Sequence, residues 1–179
     1  MKNFLLIPIL AVIVISAKAF SQDKKETFCL TDTAFNIGAT CTLQIKWSMC
    51  GSIIMESVLT LDSVSMMLEN HPELVIEIEE HTDCRGSAEY MEMLTQKRAE
   101  SYMDFLVEKG ANPFRVSAIG YGGSQPVIVN DSMHDKYEFL PTGQLLDIQF
   151  IRSLDDPEKH EVAHQYNRRT IIKIVDIRK

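Results

Sequence analysis

The hydrophobic period of this chain switches back and forth between two residues and about 3.6 before residue 126, and few architectures accept that order. Thr42 to Trp47 sets Leu43, Ile45 and Trp47 against Gln44 and Lys46, the pattern of a half-buried strand. Ser52 can cap a helix in which Ile54, Val58, Leu61, Val64 and Leu68 follow at steps of three and four. That helix reaches about Asn70, and Pro72 prevents its continuation. Alternation returns from Leu74 to Glu79, with Ile76 and Ile78 inward and Glu77 and Glu79 outward. After a turn over His81 to Gly86, Ser87 caps a second helix with Glu89 in its first turn. It runs to about Lys109, where Gly110 stops it. Arg115 to Gly120 reads as a third strand, and Gly120, Gly122 and Gly123 punctuate a turn whose spacing fits no nucleotide loop. Residues 127–166 read as an irregular insertion with one short helix near Asp155 to His164, and Thr170 to Ile177 is the last strand. The order predicts an α+β chain: a two-layer α/β sandwich, β-α-β-α-β-(insertion)-β, with helices on one face of a mixed sheet.

The first residues set the compartment. Lys2 precedes an uncharged run from Phe4 to Ile15, and Ala17-Lys18-Ala19 and Ala19-Phe20-Ser21 offer small-x-small cleavage patterns. That is the anatomy of a secretory signal peptide over residues 1–21. The run is shorter than the ~20 apolar residues of a membrane span and contains Pro8. No cysteine follows it closely, so no lipoprotein attachment is expected. Residues 22–41 then form a polar N-terminal extension. Four cysteines remain, Cys29, Cys41, Cys50 and Cys84, and an even count in an oxidising compartment suggests two disulfides with three possible connectivities. They do not form the close pairs of a zinc site, so no metal and no cofactor is expected. The net charge is −7, and losing Lys2 and Lys18 takes it to −9. With no basic stripe to neutralise phosphates, nucleic acid is not an expected partner.

One residue breaks the pattern of the second helix. At roughly 100° per residue, Met91, Leu94, Tyr102 and Phe105 fall on one apolar arc, and Arg98 falls in its middle. A guanidinium on a core-side face must be paired or must reach out of it. Asp83 lies fifteen residues earlier, just past a strand end, where a turn and the following helix can converge. The two either form a salt bridge or together suit a zwitterion, with ammonium and carboxylate on one carbon. The five methionines Met66, Met67, Met91, Met93 and Met103 read as core filler, and His81 as a residue that orients the turn.

These residues belong to a longer ordered set. His81-Thr82-Asp83, Arg85-Gly86-Ser87, Tyr90, Leu94-Thr95, Arg98-Ala99, Leu106 to Gly110 and Arg115-Val116 resemble the signature of OmpA-like C-terminal domains. Gly120-Tyr121-Gly122, Gln125-Pro126 and Asn167-Arg168-Arg169 continue it, so the resemblance covers residues 42–179. The insertion at 127–166 looks like that of Bacteroidetes-type members. The resemblance implies non-catalytic binding of the peptidoglycan stem peptide through its diaminopimelate, in the periplasm, at the cell wall or outer membrane. Asp83 would take the ammonium and Arg98 the carboxylate, with Thr82 in the same turn, Arg168 beside the site and Asn167 bracing the strand start. Other envelope proteins are possible partners, and any outer-membrane link is expected to come through one, because no barrel precedes the domain. The loops after strands one and two meet at the family's site, which implies a Cys50–Cys84 disulfide and leaves Cys29–Cys41. Two positions depart from the family: Glu80 stands where Gly is usual, and Met91 where Asn is usual. Met49-Cys50 also replaces a polar contact. A degenerate domain kept for protein–protein interaction is therefore the alternative. A separate motif, His160-Glu161-Val162-Ala163-His164, matches the zinc-protease pattern H-E-x-x-H, but no histidine or glutamate follows it as a third ligand.

Overall fold

In the computed structural model the described residues are 27–43, 45 and 55–178. The expected signal peptide, Trp47, Cys50, Ser52 and Ile54 lie outside them. The described elements are β1 (Thr40–Leu43), α1 (Met55–Asn70), β2 (Leu74–His81), α2 (Ala88–Glu108), β3 (Val116–Gly122), α3 (Asp131–Lys136), α4 (Ile148–Ser153), α5 (Pro157–Asn167) and β4 (Arg169–Ile177). The strands form one sheet in the order β1-β4-β2-β3, with β2 and β3 parallel and the other neighbours antiparallel. The mixed sheet with helices laid against it is the architecture expected. The first strand starts at Thr40 rather than Thr42 because the preceding segment joins the fold. Thr27 bridges Thr40, the Phe28 N–H bonds the Thr40 carbonyl, and Phe28 and Ala39 are buried in the main core.

That core lies between the sheet and the two long helices. Leu61, Val64 and Leu68 of α1 and Ala99, Tyr102 and Leu106 of α2 close on Ile76, Ile78, Ile172 and Ile174. Each large apolar side chain buried there contributes about 1.5–3 kcal/mol. Ser87 caps α2 by accepting from the Tyr90 N–H, as expected. Glu79 does not point into solvent. It is buried on the outer face of the sheet, with Lys173 Nζ 3.1 Å away. Met67 and Met91 are buried, whereas Met66 and Met93 are exposed and fill no core.

The insertion is not irregular. It holds α3, α4 and α5 around its own apolar cluster of Val129, Met133, Leu140, Leu146, Ile151 and Ala163. Two of those helices have only six residues, too short to show a period in sequence.

Cys29, Cys41 and Cys84 carry free thiols, so the expected Cys29–Cys41 disulfide is not formed; the expected Cys50–Cys84 pairing involves Cys50, which lies outside the described residues. Cys29 sits exposed in a turn, its N–H bonded to Asp32 Oδ2 at 3.0 Å, while Cys41 packs against the main core. Cys84 packs against the apolar cluster of the insertion. Burial raises the Cys41 and Cys84 thiols, which keeps both protonated.

Candidate functional site

The antiparallel register of β2 and β4 pairs Glu80 with Thr170 and His81 with Arg169. The turn after β2, carrying Thr82 and Asp83, therefore meets the α5–β4 junction, carrying Asn167 and Arg168, at one end of the sheet. Asp83 is 7% exposed and its carboxylate is almost fully occupied. Oδ1 accepts the Arg85 backbone N–H at 3.1 Å; Oδ2 accepts Arg85 Nη2 at 2.8 Å and Arg168 Nη1 at 2.7 Å. A carboxylate offers about four acceptor positions, so room for one further donor remains on Oδ1. Glu161 of α5 completes the group by accepting from Arg85 Nη1 at 3.1 Å and from Arg168 Nη2. Two carboxylates and two guanidiniums thus cancel in charge. Burial alone would raise the Asp83 carboxyl, but the hydrogen bonds from Arg85 and Arg168 outweigh it and hold it down at about 2.

Arg98 enters from the helix layer. The buried stripe of α2 is Met91, Thr95, Ala99, Tyr102 and Leu106, and Arg98 lies at its edge with its side chain 18% exposed. Its partner among the described residues is not Asp83. Arg98 Nη1 lies 3.9 Å from Oε1 of Glu80, a residue only 2% exposed. The Thr170 hydroxyl donates to Glu80 Oε2, and burial followed by the Glu80 charge pushes the Tyr102 phenol well up. The direct Asp83–Arg98 salt bridge considered from sequence is thus not formed. The two groups still belong to one end of the sheet: Asp83 follows Glu80 by three residues, and a chain spans at most about 3.6 Å per residue.

Two glycines seat α2. The Gly120 N–H donates to Gln96 Oε1 at 2.8 Å, and the Gly122 N–H to Thr95 Oγ1 at 2.9 Å. A cavity of about 300 Å³ opens beside this contact, lined by Met91, Glu92 and Gly120 to Ser124. Neither Asp83 nor Arg98 lines it. We place more weight on the charged cluster, because the cavity wall brings no pair of opposed charges together.

The remaining expected residues have definite places. The Thr82 N–H bonds the Gly122 carbonyl. Asn167 is buried with its amide spent on the insertion: Oδ1 accepts the Val127 N–H and Nδ2 donates to the Leu146 carbonyl, both at 2.8 Å. His81 is buried and stacks on Tyr121 with ring centroids 5.1 Å apart. In the H-E-x-x-H segment, Glu161 carries Arg85 and Arg168, His160 Nε2 lies 2.9 Å from the Leu154 carbonyl, and His164 is buried. Sequence reasoning missed Glu80, Arg85 and Glu161 as members of the cluster. Glu80 had a signal: in the β2 alternation it shares the inward side of Ile76 and Ile78, the same anomaly as Arg98. Glu161 had none: Arg168 follows it by seven residues, beyond the end of α5, and Arg85 is 76 residues away.

Residues 55–138 match the OmpA family. The peptidoglycan-associated lipoprotein of Brucella melitensis is 40% identical over 73 residues, covering 41% of this chain and 44% of the relative. The chain therefore spans less than half the length of this curated relative. Among solved structures, the peptidoglycan-associated lipoprotein of Burkholderia pseudomallei superposes with a TM-score of 0.50 at 22% identity, over 75% of this chain and 87% of that one. The cell wall anchor of the T6SS from Pseudomonas aeruginosa gives 0.51 at 19% identity, over 76% and 80%. These likenesses establish the fold, and they cover more of the chain than the family match does. Residues 55–138 are thus similar in sequence to the OmpA family, and the architecture of the described residues is an OmpA-like fold.

Proposed function

We propose that the domain binds the amino-acid head group of the peptidoglycan stem peptide and so tethers an envelope component to the cell wall, without catalysis. The supporting observation is one end of the sheet that presents a carboxylate, Asp83, with acceptor capacity left, and a partly exposed guanidinium, Arg98. In this reading Oδ1 of Asp83 takes the ligand ammonium and Arg98 faces the second pole of the same head group. Arg168 steadies Asp83 from the side, Thr82 fixes the turn against β3, and Asn167 braces the insertion behind it. The names of the relatives and the T6SS anchor fit a periplasmic, wall-associated role. The group offers recognition chemistry and no nucleophile paired with a base.

Sedimentation with purified sacculi tests this. The chain should be retained, and Asp83→Ala and Arg98→Ala should each release most of it. The contact between Glu80 and Arg98 favours a second reading, in which the domain binds a protein instead. Equal retention of all three proteins, or retention of none, supports that second reading.

A further inference from the structure

Glu80 changes what the Arg98 end of the site can accept. A buried carboxylate already stands 3.9 Å from the guanidinium and is bonded on its other oxygen by Thr170. We infer that Glu80 is a specificity-determining residue that makes this end selective for a neutral carboxamide over a carboxylate, so that the preferred head group is an amino amide. The inference rests on the proposed stem-peptide site and names its ligand more closely.

Charge and hydrogen-bond donors distinguish the two ligands. A ligand carboxylate at Arg98 Nη1 would be drawn to the guanidinium and repelled by Glu80, whose Oε1 stands 3.9 Å from the same nitrogen. Tyr102 is buried beside this pair and α2 lies over it, so little water is available to screen that repulsion. No proton would lie between the two anions. A carboxamide meets neither difficulty. Its oxygen accepts from Arg98 while its N–H donates toward Oε1 of Glu80, and the 3.9 Å separation exceeds the 2.7–3.2 Å of a closed hydrogen bond. The Asp83 end is untouched: its remaining acceptor position suits an ammonium in either case. Selection therefore works against the wrong ligand as much as for the right one.

The test is calorimetric titration of the chain at pH 7 with two synthetic tripeptides. Both end in diaminopimelate, one with its side-chain carboxylate free and one with that group as a carboxamide. The carboxamide should bind about tenfold or more tighter, and Glu80→Gln, which keeps an acceptor for Thr170, should erase or reverse the ratio. Equal binding of the two peptides by wild type, or a preference for the carboxylate, overturns the inference without needing any variant. An unchanged ratio in Glu80→Gln also overturns it. Asp83→Asn separates the two levels. Loss of both peptides with that variant upholds the site even if selection fails. Binding indifferent to Asp83, or absent for both peptides, removes the site and the selection together.

Discussion

Replacing Gly120 by Ala should unseat the helix that carries Arg98. A Cβ built on Gly120 would stand 2.1 Å from the backbone nitrogen of Gln96, 2.5 Å from the carbonyl carbon of Thr95 and 2.6 Å from the Gln96 Cα. Ordinary contact begins near 3.4 Å, so α2 must retreat by about 1.3 Å. No side-chain rotation relieves the clash, because every atom met is backbone. Overpacking of this kind costs about 1–3 kcal/mol. The retreat also stretches the Gly120–Gln96 and Gly122–Thr95 hydrogen bonds, each worth about 1 kcal/mol. The sum is about 3–5 kcal/mol, a large part of the 5–15 kcal/mol typical of a domain. With a urea dependence of about 1–3 kcal/mol/M, the midpoint should fall by roughly 2 M. Urea unfolding followed by circular dichroism measures it. Gly123→Ala is the control: its nearest neighbour would be the Asp83 carbonyl oxygen at 3.2 Å, so it should cost less than about 1 kcal/mol. A Gly120→Ala loss below about 1 kcal/mol would refute the reasoning.

Two further perturbations read other parts of the fold. Burial, and then the charge of Arg169, push the His81 imidazole down to about 3, whereas an unfolded histidine titrates near 6.5. Between those values the unfolded chain binds the extra proton. Stability is therefore complete above pH 6.5 and lost as pH falls toward 3, by about 2–3 kcal/mol between pH 7 and 4.5. His164, also lowered by burial, adds in the same direction. His81→Gln should shrink the difference in urea midpoint between those pH values by half or more, and an unchanged difference would exclude this origin. Asn167→Ala removes the partners of the Val127 N–H and the Leu146 carbonyl and should cost about 2–4 kcal/mol. Hydrogen exchange should then show lost protection over residues 127–167 with β2 retained; uniform loss across the sheet would contradict a local brace.

The fold was legible where hydrophobic periods were long. Leu61, Val64 and Leu68, the capped start of α2 and the inward Ile76 and Ile78 all lie where the pattern put them. The insertion was not legible, since a six-residue helix spans under two turns and its core is assembled from residues scattered between Val129 and Ala163. In the site, Arg98 was visible as a charge on an apolar arc. Its contact with Glu80 was not read, because Glu80 on the inner face of β2 was noted only as a departure from the family. Asp83 instead faces Arg85 and Arg168. That pairing depends on the antiparallel register of β2 and β4, which no local period encodes.

The proposed site holds one head group between Asp83 and Arg98. Titration of isotope-labelled chain with the diaminopimelate tripeptides, read by amide and arginine side-chain resonances, addresses it residue by residue. Saturable shifts should concentrate at Asp83, Arg85 and Arg168 and at the Arg98 guanidinium. Shifts confined to the Gly120–Ser124 cavity or to the insertion, with the Arg98 signal unmoved at saturation, would contradict it.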